Sequence, residues 1–290
     1  MSEADLTHRA EPRAATVSPA FLAFGRGFRA LRRSFLARRL LVLVLLAIAW
    51  QLAATYKASP LLFPSFTETL SAFFQSARTE DLLSSAGESM LELIKGYALA
   101  ISIALVLVSL ATTVPFMRDV LQTLTAIFNP LPAIALLPLA MLWFGLGEAS
   151  LLLVLVHSVV WPFSLAALTG FEQVPETQRL VGRNYGLTGL RYIFYILLPA
   201  ALPSILSGLR VAWAFAWRTL IASELVFGVS SGTGGLGWFI YRNRNDLLTD
   251  RVFAGLATVI LIGLVVEFAI FHLIERYTVE RWGMQRAAQH

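Results

Sequence analysis

Apolar residues gather into long blocks along the chain, at about Leu40–Tyr56, Met90–Thr112, Val120–Phe144, Ser150–Gly170 and Val252–Ile274, with a further block ending near Leu225. Each approaches the roughly 20 residues that a helix needs to cross the hydrocarbon core of a bilayer. The pattern predicts six membrane-spanning helices. Trp50 and Tyr56 suit the far interface of the first span, where amphipathic rings settle. Glu92 and Lys95 lie one turn apart near the end of the second and are expected to pair or snorkel there. The third block is interrupted by Asn129-Pro130-Leu131-Pro132 and again by Pro138. Each proline frees a backbone carbonyl, which a membrane tolerates only where protein or a watery cavity satisfies it. The third span is therefore expected to line a cavity.

Between the fourth and fifth blocks the pattern turns polar and takes on helical punctuation, over Glu172–Pro203. Pro175 suits a first helical position. Glu176 falls in the first turn, with Arg179 and Arg183 toward the end, as the helix dipole favours. Gly186 can close the helix in the left-handed conformation. A short polar helix at about 175–186 is thus predicted between two spans. Its successor is entered through Pro199 and Pro203 and runs on the order of 45 Å at 1.5 Å per residue, so its first turns lie outside the core. Elsewhere, Phe21, Phe24, Phe28, Leu31 and Phe35 recur at helical spacing with arginines between them, which predicts an amphipathic helix on the membrane surface. A short helix is expected from Phe66, and a glycine-rich polar loop over Phe227–Asp250.

Composition agrees with a membrane solvent. Of 290 residues 57% are hydrophobic and 14% charged, against roughly 25% charged in a soluble domain; the mean hydropathy is +0.69. A net charge of +5 does not point to nucleic acid, because the arginines flank apolar spans. Of the 23 Lys and Arg residues, 15 fall on the side of the two termini and of the polar helix, and 5 on the other. That excess predicts cytoplasmic termini and a cytoplasmic polar helix. Three parts follow: a leader over 1–39, a six-span domain over 40–275 and a basic tail over 276–290. The absence of cysteine excludes disulfides, thiolate metal sites and cysteine nucleophiles.

The polar helix carries a resemblance. Gly186 is followed by nine residues and then Ile196-Leu197-Leu198-Pro199, which resembles the cytoplasmic loop of ABC importer permeases. That loop reads Glu-Ala-Ala, three residues, Gly, nine residues, Ile-x-Leu-Pro. Leu180, Val181 and Gly182 stand here in place of Glu-Ala-Ala. The runs Leu62–Ser65, Asn129–Ser150, Leu198–Trp217 and Ser231–Gly255, together with Glu224, are similar to the nitrate/sulfonate/taurine/bicarbonate importer permeases. The resemblance implies an all-α polytopic membrane protein with six transmembrane helices, the type I importer permease fold and a cytoplasmic coupling helix. It implies a permease rather than an enzyme, without cofactor or metal, in a bacterial inner membrane. The implied partners are two ATP-binding cassette ATPase subunits, a periplasmic solute-binding protein and a second permease copy. Coupling then falls to Glu176, Arg179, Leu180, Val181, Gly182, Arg183, Tyr185 and Gly186, and hinge motion to Pro199, Pro203 and Gly208.

Other motifs point elsewhere and fail on context. Gly228-Val229-Ser230-Ser231-Gly232 fits a nucleophile elbow, as in an intramembrane serine protease. Yet Ser230 lies beyond the fifth span, and His272 stands roughly 30 Å deeper at 1.5 Å per residue. Gly232, Gly234 and Gly237 satisfy G-x-G-x-x-G without the strand that a dinucleotide site requires. An ion-coupled secondary transporter would show inverted repeats and midplane carboxylates, and neither is visible. Polar residues inside spans are functional candidates: Asn129, His157, Arg210, Arg218 and Glu224. Arg210, Trp217 and Glu224 recur every seven residues on one stripe, with Arg218 beside it. Arg210 and Arg218 either offer a small anion positive charge or pair with glutamate between spans. His157 is expected to be a buried hydrogen-bonding residue rather than part of a pathway.

Overall fold

The apolar blocks form helices in a computed structural model that describes residues 35–57, 59, 61–79, 81–227 and 234–280. The amphipathic segment before Phe35, the Gly228–Gly232 motif and the tail beyond residue 280 lie outside the described residues. Helix α1 (Phe35–Lys57) belongs to a separate compact unit and is apolar over most of its length. The second unit begins with α2 (Phe66–Arg78). Ser65 and Glu68 close a reciprocal capping box at its start, satisfying two orphan amides of the first turn. The box fixes the helix expected from Phe66.

Helices α3 (Asp81–Thr113), α6 (Glu148–Glu172), α9 (Leu202–Phe227) and α11 (Thr249–Val279) are each long and apolar enough to cross a membrane. Helices α4 (Pro115–Phe128) and α5 (Ala133–Phe144) pass the same test as a pair bent by 89°. The chain is a multi-pass membrane protein, all-helical among the described residues. Helix α3 starts nine residues before the expected Met90, and α11 extends past Ile274. Polar turns at the start of α3 and at the end of α11 continue helices that hydropathy alone cuts short.

The bend falls where the prolines predict it. Pro132 leaves the helix at ψ 116, and the freed Phe128 carbonyl accepts from the Leu131 N–H at 3.1 Å. Pro138 is a correction: it stands in the first turn of the regular part of α5, where no N–H is required, and causes no second interruption. Ser150 Oγ donates to the Ala140 and Gly145 carbonyls at 2.9 and 2.6 Å, fastening α5 to the start of α6.

At the centre, α6 packs between α3 and α9. Small residues allow the close approach that membrane helices use in place of a hydrophobic drive. A Cβ on Gly96 would come within 2.8 Å of Leu155, one on Gly170 within 2.7 Å of Ser204, and one on Gly208 within 2.6 Å of Ala166. Gly208 thus sits at a helix crossing inside the unbroken α9, while the chain breaks at Ala201, between Pro199 and Pro203. Lys95 pairs with Glu148 at 2.8 Å, not with Glu92 as local spacing suggested. The contact across α3 and α6 wins over the one along the helix. The expected glycine-rich loop contains a helix, α10 (Leu236–Asn245), with Gly237 inside it.

Candidate functional site

Two features stand out, an exposed helix between α6 and α9 and a cleft at the break between α4 and α5. The helix, α7 (Glu176–Asn184), takes Pro175 as its N-cap at φ −56 and ψ 141, so it begins one position after Pro175, the first helical residue that spacing suggested. The Pro175 carbonyl accepts from the Gln178 and Arg179 amides, so the cap works through its oxygen. At the other end Gly186 adopts φ +69. Leu187 N–H donates to the Gly182 carbonyl at 3.0 Å and Gly186 N–H to that of Arg183 at 2.9 Å, the two bonds of a Schellman motif.

Helix α7 is tied on two sides. Arg179 reaches back to the end of α6, where Nε donates to the Val174 carbonyl at 3.0 Å and a terminal nitrogen to the Phe171 carbonyl at 2.5 Å. A cation on the last carbonyls of a helix also meets the negative end of its dipole. On the other side Gly182 is buried against α8 (Gly189–Ala200), where an added Cβ would lie 2.8 Å from the Tyr192 ring and 2.9 Å from Ile196. Gly182, the last of the three departures from Glu-Ala-Ala, is what lets α7 lie flat on α8. A π-turn over Ile193–Leu197 precedes Pro199, which removes an N–H from the regular ladder. The outer face is left with Leu180, Val181 and Tyr185 exposed at 47%, 49% and 80%. Glu176 pairs with Arg183 at 3.3 Å and lies 3.9 Å from Arg179.

The cleft has a volume of about 360 Å³. Phe128, Asn129 and the proline turn form one wall; His157, Ser158 and Trp161 of α6 form the second. Phe215, Arg218, Thr219 and Ala222 of α9 supply the third. Those four recur at i, i+3, i+4 and i+7, one helical face. The Phe128 ring stacks on Trp161 at 5.1 Å and meets His157 edge-on at 6.0 Å. Neither ring nitrogen of His157 nor Trp161 Nε1 has a hydrogen-bond partner among the described residues. The expectation of a hydrogen-bonding His157 is corrected: aromatic neighbours fill the places where acceptors would stand.

Asn129, His157 and Arg218 are therefore brought together on one cleft, while Arg210 and Glu224 are not. The stripe Arg210–Trp217–Glu224 turns instead toward α10 and α11. Arg210 lies 3.3 Å from Glu267 and 3.2 Å from Glu275, and Trp217 Nε1 donates to the Val259 carbonyl at 3.3 Å. Glu224 is buried and accepts from Ser89 Oγ at 2.6 Å and from the Gly237 N–H at 2.7 Å. Ser89 Oγ accepts from the Leu236 N–H at 2.8 Å, so serine and carboxylate together cap the start of α10. Sequence reasoning missed this cap, and the buried Ser89 inside an apolar helix was its one available signal. It also did not single out Phe128 and Trp161, whose rings meet across the cleft.

A family profile described as a binding-protein-dependent transport system inner membrane component matches residues 96–279. The chain is 30% identical to the taurine transport system permease protein of Escherichia coli (strain K12) over 81% of its own length and 86% of that protein's. It is 28% identical to the nitrate import permease protein of Synechocystis sp. over 79% of its length and 85% of that protein's. It is also 30% identical to a bicarbonate transport system permease protein of Synechococcus elongatus over 67% and 66%. With a profile that takes in α6, α7 and α9 and a relative matched over about four fifths of the chain, the chain belongs to the family of binding-protein-dependent transport system inner membrane components.

Proposed function

We propose that this chain is the membrane-spanning permease subunit of an ATP-driven importer for a small anionic solute. The observation that carries the reading is α7. A short polar helix between two spans is capped at both ends, tied to both neighbours, and presents Leu180, Val181 and Tyr185 outward. Exposed apolar side chains on an otherwise polar helix mark a protein contact, and the ATPase subunit is the partner that such a permease requires. With α1 taken as a further span beside the bent pair, the count of six gives both termini and α7 one common side, and the arginine distribution supports that side being the cytoplasm. Two ATPases bind there, a periplasmic binding protein delivers the solute, and a second copy of the chain completes the passage. The relatives are named for taurine, nitrate and bicarbonate, which supports a small anionic cargo.

In this reading closure of the ATPase pair moves α7, and the movement passes through the Pro199–Pro203 link to α9. Gly186 tests it. Nothing lies within 4 Å of a Cβ at Gly186, so Gly186→Val perturbs backbone conformation alone, by about 1–2 kcal/mol. In proteoliposomes carrying the ATPase and the binding protein, this variant is expected to keep hydrolysing ATP while uptake falls about tenfold. Uptake at the unaltered rate would contradict the coupling role.

A further inference from the structure

A cation inside a membrane span is stable only where it faces protein or water. Arg218 is such a cation, and it faces the cleft. Its Nε donates to the Ala214 carbonyl at 2.9 Å, and its guanidinium carbon lies 5.0 Å from the centre of the Phe215 ring. The side chain is therefore held in place from its own helix. No ion pair to Arg218 occurs among the described residues, although Arg210 on the same helix has two carboxylate partners. None of the residues lining the cleft is acidic. The His157 and Trp161 nitrogens are buried within that wall and have no partner among the described residues, so the charge of the cleft is that of Arg218. The cleft is positive, and nothing in its walls neutralises it.

Its size and surface narrow what can enter. About 360 Å³ stands at the small end of the range for organic ligands, roughly 300–1,000 Å³, and exceeds what an inorganic anion of three or four oxygens fills. Phe128, Trp161, Phe215 and Ile134 give the walls an apolar and aromatic character. A bare, strongly hydrated anion would lose its water there without filling the space. Asn129 and Thr219 supply neutral polar groups. We propose that the cleft is a binding subsite for an organic monoanion, its carboxylate or sulfonate head at Arg218 and its apolar body against Phe128 and Trp161. The proposal rests on the permease reading and gives the permease a selectivity of its own, beyond that of the delivering protein.

The test is binding of benzenesulfonate to the permease–ATPase complex in lipid nanodiscs, without binding protein or nucleotide, read by equilibrium dialysis. Saturable binding is expected, with nitrate and the neutral benzenesulfonamide at least tenfold weaker. Arg218→Gln should weaken benzenesulfonate at least tenfold and Arg218→Lys less. Ala222→Leu, which fills the cleft and leaves the charge, should also weaken it. Assembly of each variant is checked by co-elution with the ATPase. No binding to the unaltered complex, equal binding after Arg218→Gln, or nitrate binding as tightly as benzenesulfonate would each overturn the proposal. Because no ATP is present, failure of the coupling role of α7 leaves this measurement unaffected. Conversely, intact ATP-driven uptake without benzenesulfonate binding removes the subsite alone.

Discussion

Arg210 and Arg218 lie on the same helix, roughly 80° apart around its axis at 3.6 residues per turn, and they have opposite surroundings. Arg210 has Glu267 on one side and Glu275 on the other, with the Phe271 ring 5.7 Å away. Arg218 has a backbone carbonyl and the Phe215 ring. The first arginine joins two helices; the second charges a cavity. A cation that is already neutralised by carboxylates contributes to packing, whereas one kept without a counter-ion projects a field outward. Residue type alone does not separate the two roles. The facing helix does.

The structural face of α9 should respond most strongly to truncation. Glu224→Ala leaves the Gly237 amide and the Ser89 hydroxyl without their buried acceptor, which costs about 1–3 kcal/mol. Thermal unfolding of the purified complex should show it, and an unchanged transition would mean that the cap on α10 contributes nothing. Arg210→Gln comes next. It removes the cation that Glu267 and Glu275 share, and since these groups are partly exposed the loss is about 1 kcal/mol. Arg218→Gln, by contrast, should shift the same transition by less than about 0.5 kcal/mol. Equal shifts for the two arginines would erase the distinction between them. The smallest effect lies outside the spans. Capping hydrogen bonds from Ser65 hold the Glu68 carboxyl below the usual glutamate range. Its contribution is therefore complete above that range and is lost as pH falls through the folded value. Ser65→Ala should reduce this acid sensitivity, because the hydroxyl bond to Glu68 is lost while the larger bond from the Ser65 backbone N–H stays, so unfolding curves of the two proteins should lie closer together at low pH than at neutrality.

Local patterns were the legible part of the fold. Six apolar blocks, the prolines that bend α4 against α5 and the caps of α7 all act within one or two turns of themselves, so spacing reveals them. Helix α10 was not legible, because its sequence is polar and its start is secured by Ser89, 147 residues away along the chain. Lys95 illustrates the same limit. Glu92 is near in sequence, yet Glu148, 53 residues on, takes the ion pair. The seven-residue stripe of α9 was visible as a period, while the helix it meets was not. Of the pathway candidates, Asn129, His157 and Arg218 share the cleft because α4, α6 and α9 happen to converge there. No spacing rule connects three separate helices.

The two ties on α7 have a mechanical corollary. Arg179 grips the tail of α6, which carries His157 and Trp161, while Gly182 rests on α8, which leads through Ala201 into the helix that carries Arg218. Under the proposed coupling, a load on Leu180 would be shared between opposite banks of the cleft, like one handle fixed to both blades of a pair of shears.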